Sequence, residues 1–423
     1  VNGDRGQLQP RSMETVARLL DKGVAIPNPL TVDIGPEVDP ERISGAGVVI
    51  HPGCRIRGAA TVVSAGVKLG AEGPVTLDDC LLGPDVDLKG GSFSRSVLLA
   101  GANMGPGAQV REGCLLEEEA NGAHCVGLKQ TILLPFVTLG SLVNFCDCLM
   151  AGGTSRRDHS EVGSSYVHFN FTPDGDKTTP SLFGDVPRGV MLDQPRIFLG
   201  GQGGAVGPVR LGYGTVVAAG SILRRDVPAD GKLVISGSHR DLVRDHAPAA
   251  YMDLARIVTN NLLYLGNLVA LEEWYRHVRR RFFAAQELGA LVHEGALRLL
   301  AGARRERLKR LVVLAGRVAP ADAGRRALHE RVDEVVEVYD AAPPEDGRDA
   351  FLTSLEAALS AAAAPADLTR YTHTIQALPA DVSALGVAWL QGIVDTLVRR
   401  AAALLRPLAV HNDATTVVSR RGG

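Results

Sequence analysis

The chain has few aromatic residues and no excess of charge of either sign. Phe, Trp and Tyr make up 4% of its 423 residues, which disfavours a sandwich core built on large rings. Lys and Arg number 45 against 47 Asp and Glu, so we expect no nucleic-acid partner. A run of about 18 uncharged apolar residues is lacking, as is a secretory signal. We therefore expect no membrane span and a cytoplasmic location.

The six cysteines also lack the spacing of a secreted disulfide scaffold, so we expect reduced thiols. Cys146 and Cys148 stand two residues apart, which on one strand would place both side chains on the same face. A zinc site would need two further ligands at a recognisable spacing, and the sequence shows none. We interpret these thiols as packed side chains and expect no metal.

Glycine is abundant, with 48 residues, and it accompanies apolar side chains at every sixth position. A glycine or other small residue near each apolar position suits a short strand followed by a sharp corner, because glycine takes positive φ at no steric cost. This period predicts a parallel β-helix, in which stacked coils bury one core. The main runs are Ile50, Ile56 and Val62; Leu98, Met104, Val110 and Leu116; and Leu199, Ala205, Leu211, Val217 and Leu223.

Several short motifs lie within this repeat: His168-Phe-Asn-Phe171, Asp176-Lys-Thr178, Gly184-Asp185 and Arg225-Asp-Val227. Together with the last hexapeptides they resemble motifs of the left-handed β-helix (hexapeptide-repeat) transferase family. The resemblance is to the acetyltransferase half of the bifunctional enzymes that make UDP-N-acetylglucosamine, and it covers roughly residues 40–235. It implies left-handed coils, against the usual right-handed crossover. It also implies a homotrimer, no tightly bound cofactor, and acyl-CoA as a possible co-substrate.

The period-six pattern stops after Leu223, and helical spacing begins near Arg240, for example at Leu254, Ile257 and Val258. We therefore predict a leader at 1–12, an N-terminal helix and lead-in at 13–40, a left-handed β-helix at 41–238, an all-helical domain of five or six helices at 239–412, and a flexible tail at 413–423. Because each coil of a solenoid contacts only its neighbours, we expect the β-helix to fold without the helices.

Residues 274–281 combine Trp274 and Tyr275 with four arginines. Arginine forks match anions, so one interpretation is a phosphate or partner site. We favour a solvated helix face whose aromatic side turns into the core.

The longest interruption of the repeat, between Phe145 and Leu199, holds an unusual density of polar residues, and we predict that Tyr166 and Arg188 among them bind substrate. A site is expected where a rigid solenoid is interrupted by a loop. The resemblance places the substrate ligands of the family at Asn170 and Lys177. It also places small residues that line a pantetheine groove at Gly201, Ala218 and Ala219, although these could equally be corners of the solenoid.

The histidine that acts as general base in the family has no counterpart here, because the chain has Leu142-Val-Asn-Phe145 at that place. Three other histidines are candidates: His124, His159 and His168. An imidazole titrates near pH 6.5, which suits a general base. His168 stands closest to Asn170 in the sequence.

These observations predict an acyltransferase that moves an acyl group from acyl-CoA to an amino or hydroxyl group of a phosphorylated or nucleotide sugar. The alternative is a non-catalytic nucleotide-sugar-binding or scaffold protein that has lost the catalytic histidine of the family. Residues 1–40 hold no Gly-rich nucleotide loop, so we expect no uridylyltransferase activity.

Overall fold

The computed structural model describes residues 10–168, 179–237, 243, 251, 253–361 and 367–410. The described chain forms a left-handed parallel β-helix of about 11 turns followed by a helical region, which confirms the predicted fold class. Helix α1 (Met13–Asp21) and the 3₁₀ turns Pro29–Thr31 and Pro40–Arg42 lead into the solenoid.

Each coil runs through three parallel sheets, which we call faces A, B and C in the order in which a coil visits them. Face A consists of Val49–Ile50, Lys68–Leu69, Asp87–Leu88, Asn103–Met104, Asn121–Gly122, Thr138–Leu139, Glu161–Val162, Phe198–Leu199, Val216–Val217 and Leu233–Val234. Face B consists of Asp33–Ile34, Arg55–Arg57, Val75–Asp78, Gly91–Ser94, Ala108–Val110, Gly127–Lys129, Asn144–Cys146, Ser165–Val167, Gly203–Ala205 and Ile222–Leu223. Face C consists of Val62–Val63, Leu81–Leu82, Ser96–Leu98, Cys114–Leu116, Ile132–Leu133, Cys148–Met150, Ser181–Phe183 and Arg210–Leu211.

Two insertions leave the solenoid between faces C and A. One is the antiparallel hairpin Gly153–Ser155 with Asp158–His159, and the other contains the short helix α2 (Val186–Gly189). A third departure follows the face B strand Ser165–Val167, and most of it lies outside the described residues.

The period-six residues form the core of the solenoid, as predicted. Leu98, Met104, Val110 and Leu116 come from successive strands and are at most 1% exposed. Corners between strands require positive φ, as at Gly107 (φ 75°), where glycine avoids the steric cost of a Cβ.

Face C differs from the other two faces because its outward side chains are also apolar. These outward side chains are only 0–7% exposed, and they are Leu81, Val97, Leu115, Ile132, Leu149 and Leu182. A strand that is buried on both sides reads as consecutive apolar residues and does not alternate. Another layer of the protein must therefore cover this face.

The helical region provides that layer. Its described helices are α3 (Leu254–Trp274), α4 (Arg280–Ala284), α5 (Gly289–Arg317), α6 (Ala323–Asp340), α7 (Arg348–Ala361), α8 (Tyr371–Gln376) and α9 (Ala380–Leu404), with a π-helical turn Tyr275–Arg279 between α3 and α4 and a 3₁₀ turn Arg406–Leu408. These are more helices than the five or six predicted.

Helix α3 begins at the last coils and continues through α4 toward the first. Asn260 Nδ2 donates to Asp226 Oδ1 at 3.0 Å, Asn267 Oδ1 accepts from the Val186 amide at 2.8 Å, and Ser44 donates to Glu287 at 2.7 Å beyond the end of α4.

Helix α5 then returns along face C, where Arg307 pairs with Asp147 at 2.7 Å. The helices thus contact coils along most of the solenoid. The helices bury the apolar outer surface of face C, which argues against independent folding of the β-helix; that expectation stays a prediction.

The basic run at 274–281 lies partly inside this interface. Arg279 is 1% exposed, and its guanidinium donates to Glu118 Oε2 at 3.0 Å and lies over the Tyr371 ring at 3.7 Å. Tyr275 donates to Glu117 Oε1 at 2.6 Å. The interpretation of this run as a solvated face is therefore wrong for Arg279, although Trp274 and Tyr275 do point into the core.

By length and composition, two helical stretches are apolar enough to cross a membrane, Leu254–Ala284 and Ala380–Leu404. Their most apolar windows are 89% and 44% buried inside the protein. The core helix of a globular protein passes the same test, so the two stretches are weak evidence for a span.

All six cysteines are free thiols, and Cys125 is the exposed one. Cys146 ends a strand of face B and Cys148 begins one of face C, with Asp147 (φ 55°) at the corner between them. The two thiols therefore do not share one strand face as expected. Within the described ranges, no group of three or more His, Cys, Asp or Glu side chains could hold a metal ion.

Candidate active site

The corner between faces A and B, which we call the A–B edge, carries an exposed histidine. His124 follows the face A strand Asn121–Gly122, and its Nδ1 lies 2.8 Å from the hydroxyl of Ser141, 17 residues later. The Leu142 amide donates to the His124 carbonyl at 3.0 Å. Stacking of one coil on the next therefore positions this pair.

The next coils extend this edge with polar groups. The Ser164 hydroxyl donates to the Ser141 carbonyl at 2.6 Å, and the Gln202 amide donates to the Ser164 carbonyl at 2.7 Å. A column of polar residues thus lies beside His124, formed by Ser141, Ser164 and Gln202. The backbone carbonyls accept hydrogen bonds from the neighbouring coil, whereas the His124 imidazole faces solvent.

On face B, next to this edge, Tyr166 pairs in register with Asn144 on one side and Gly204 on the other. The Tyr166 side chain points outward and is 62% exposed. Because Gly204 has no side chain, the surface beside the ring stays open. An exposed ring of this kind offers an apolar surface to a sugar or a nucleobase.

The three residues predicted to contact acyl-CoA lie on the same edge, in later coils. The Gly220 amide donates to the Gly201 carbonyl at 2.9 Å, while Ala218 and Ala219 follow the face A strand Val216–Val217. A Cβ at the neighbouring Gly200 would lie 2.4 Å from the Ala219 nitrogen. Close stacking of coils therefore accounts for small residues here. Because their side chains are short, few atoms project from the surface of this edge.

The structure separates the other predicted residues from this edge. His159 lies in the hairpin between faces C and A. Burial lowers the pKa of its imidazole, and the positive charge of the nearby Arg156 lowers this pKa further. Arg188 lies in α2, pairs with Asp185 and Asp230 at 2.7 Å, and stacks over the Tyr213 ring at 4.7 Å. The guanidinium of Arg188 is thus engaged by other side chains of this protein and does not lie at the A–B edge.

His168 follows the strand that carries Tyr166, but its side chain is only 2% exposed. The imidazole packs on Gly207, where an added Cβ would collide with the ring. The predicted substrate ligands Asn170 and Lys177 lie outside the described residues. Among the three candidate bases, His124 is therefore the exposed one.

Sequence reasoning missed Ser141 as the partner of His124. Coil length is the signal that could have found it, because Asn121 pairs with Thr138 and the same offset brings His124 to Ser141. That offset is not constant, since Thr138 pairs with Glu161 and Glu161 with Phe198. Insertions therefore change the coil length after Thr138 and Glu161, so the repeat is not visible in the sequence of these coils.

No protein-family model matches the chain. Curated relatives do, and each of the following is named bifunctional protein GlmU. The relative from Clavibacter sepedonicus is 29% identical over 244 residues, covering 57% of this chain and 44% of the relative. The relative from Fervidobacterium nodosum is 27% identical over 255 residues (58% and 50%). The relative from Pelobacter propionicus is 30% identical over 207 residues (47% and 40%).

The predicted resemblance to the hexapeptide-repeat transferases is confirmed. The parallel solenoid and the GlmU relatives lead to it independently. The chain spans about half the length of the GlmU relatives it matches.

Proposed function

We propose that the A–B edge transfers an acyl group from acyl-CoA to an amino or hydroxyl group of a phosphorylated or nucleotide sugar. The observation that carries this proposal is the exposed His124, hydrogen-bonded to Ser141 and lying on the same edge as Gly201, Ala218 and Ala219. The likeness to GlmU supports a sugar-nucleotide-related acetyltransferase domain at the family level. The acyl group and the acceptor are part of the proposal.

In this mechanism His124 is the general base. When its Nδ1 carries the proton and donates to Ser141 Oγ, its Nε2 presents a lone pair to the acceptor. Nε2 removes a proton as the acceptor nitrogen or oxygen attacks the thioester carbon. The carbon–sulfur bond breaks, and the proton passes to the departing thiolate. The Tyr166 ring would pack on the sugar or the nucleobase of the substrate. Asn170 and Lys177 remain the predicted ligands of the polar groups of the substrate.

The test is release of free CoA thiol with a panel of amino-sugar phosphates and nucleotide sugars. A positioned general base contributes about 10²–10⁴-fold to a rate, so His124→Ala should lower kcat by at least about a hundredfold with little change in KM. His159→Ala is the matched control, because His159 lies on another corner. Equal rates for wild type and His124→Ala would refute the assignment.

One observation favours the alternative of a binding or scaffold protein. At the place of the histidine that acts as base in the family, the exposed side chain of the edge is Leu142, 59% exposed. Nucleotide-sugar binding without thiol release for any acceptor would support this alternative. The homotrimer and the cytoplasmic location remain predictions under either function.

A further inference from the structure

A cavity of about 390 Å³ lies within the helical region, and we call it the helical cavity. Helices α3, α5, α6 and α7 line it, together with the π-helical turn between α3 and α4. Its volume is within the range of small-molecule sites. All of its described lining residues belong to the helical region, so the helical cavity is separate from the A–B edge.

Arg304 of α5 brings to this cavity a guanidinium with an incomplete set of hydrogen bonds. Its side chain is 19% exposed, and its Nε lies 3.7 Å from Glu272 Oε2, which is beyond hydrogen-bond distance. Its Nη1 donates to the carbonyl of Tyr339, near the end of α6, at 2.6 Å. Its Nη2 has no acceptor among the described residues and is open to the solvent of the cavity. Nη2 is therefore available to donate to an anionic group of a ligand.

Arg348, the first residue of α7, brings a second guanidinium to the cavity. Its Nη1 lies 2.7 Å from Glu345, and its Nε donates to Asp349 at 3.0 Å. These two carboxylates are 70% and 85% exposed, and ion pairs with exposed partners are weak. A ligand carboxylate can therefore bind Arg348 without breaking a buried ion pair.

The cavity carries carboxylates as well as guanidinium groups. The side chains of Glu272 and Glu273 are 10% exposed, and Arg276 pairs with both of them, at 2.7 and 3.1 Å. Asp340, the last residue of α6, is exposed and has no side-chain partner among the described residues. With Glu345, the lining holds four carboxylates against three guanidinium groups. This excess would repel a ligand with negative charge alone, whereas Asp340 would attract a ligand that also carries an ammonium group.

We propose that the helical cavity binds a free amino acid, a zwitterion with one carboxylate and one ammonium group. The carboxylate accepts from Arg304 Nη2 and from Arg348, and the ammonium group pairs with Asp340. An aliphatic side chain of the amino acid contacts the apolar part of the lining, which includes Val269 and Pro343. Binding here does not depend on the proposed acyl transfer.

L-leucine is the probe, because it has both charged groups and an aliphatic side chain. Calorimetry with the full chain should show saturable binding. L-leucinamide lacks the carboxylate and 4-methylpentanoate lacks the ammonium group, so each should bind about tenfold or more weakly than L-leucine. Absence of saturable binding at 10 mM L-leucine, on the order of the weakest specific sites, would overturn the proposal. So would equal affinity for L-leucine and L-leucinamide.

Arg304→Met removes the guanidinium but keeps the aliphatic part of the side chain, and it should weaken L-leucine binding about tenfold or more. Arg305→Met is the matched control, because Arg305 is the next residue of α5, is exposed and does not line the cavity. Equal affinity of these two variants would overturn the proposal, because the probe would then bind elsewhere.

Asp340→Asn tests the ammonium contact on an exposed residue, so the variant should fold. It should weaken L-leucine binding but not the binding of 4-methylpentanoate, which has no ammonium group. Equal weakening of both ligands would contradict the placement of the ammonium group and overturn the proposal. His124→Ala should bind L-leucine like wild type, which separates this proposal from the proposed function.

Discussion

Glu117 and Glu118 show how strongly the interface constrains single residues. Both carboxylates are buried and face one guanidinium, that of Arg279, within a shell of Tyr275 and Tyr371. Burial raises the pKa of Glu117 to about 7, against the opposing charge of Arg279. The carboxyl of Glu117 is thus about half protonated near pH 7, because burial disfavours its charged form.

A pH dependence of stability follows from Glu117. Its pKa rises from 4.5 to about 7 on folding, so the folded chain binds more protons than the unfolded chain between these values. The free energy of unfolding should therefore fall as pH rises from about 4.5 to about 7 and then level off with respect to this group. Glu117→Gln keeps the shape without the charge and should flatten this slope.

Urea unfolding at several pH values between 5 and 8 measures the effect. Glu161→Gln, on face A away from the helices, is the control and should keep the wild-type slope. If Glu117→Gln unfolds with the same pH dependence as wild type, the carboxyl of Glu117 is not the group that holds the proton.

The candidate site could be predicted from the sequence in part. His124 was among the candidate bases because it interrupts the repeat, but nothing local distinguished it from His159 or His168. Exposure decided among them, and exposure depends on which corner of the coil each residue reaches. The variable insertions after Met150 and Val167 change that corner. The sequence period alone therefore could not place these histidines.

At the scale of elements, period six predicted the solenoid because each short strand and corner is specified by adjacent residues. The covering of face C was also present in the sequence, in the apolar pairs Leu81-Leu82, Leu115-Leu116 and Leu149-Met150. These pairs indicate a strand buried on both sides. They do not indicate which element covers it, because docking of α5 depends on contacts between residues about 150 positions or more apart, such as Arg307 with Asp147.

Helix α5 packs on face C through Gly295, and this contact predicts a stability effect. A Cβ at Gly295 would lie 2.2 Å from Leu81 Cδ2, so Gly295→Val should lower the free energy of unfolding by about 1–3 kcal/mol through overpacking. Gly316→Val makes the same change on the same helix in open space. Chemical denaturation of both variants is the measurement, and equal stabilities would show that α5 shifts away from Leu81 at no cost.

At the scale of the whole molecule, the described helices pack on face C, and face A carries exposed side chains within the described part of the chain. Face A changes character along the solenoid, from Lys68 and Asp87 to Phe198, Val216 and Leu233. The last three stack in register and are 38–67% exposed. An exposed apolar column of this kind is typical of an interaction surface.

We expect a homotrimer that uses this column. Light scattering at micromolar concentration should give three times the mass of the chain, and Val216→Asp should dissociate the assembly because a charge would be buried at its centre. Asp87→Asn, on the same face among the polar residues, is the control. A monomeric mass for the wild type would exclude the trimer.

The contacts of the helical region along face C change how the solenoid should come apart. An uncovered stack of coils can unzip from either end, one coil at a time. Here the same group of helices forms hydrogen bonds with an early, a middle and a late coil, at Ser44, Asp147 and Asp226. Fraying of a terminal coil must therefore also detach helix contacts, so the solenoid and helices should open as one cooperative unit. Amide hydrogen exchange should then be similarly slow in the first and last coils.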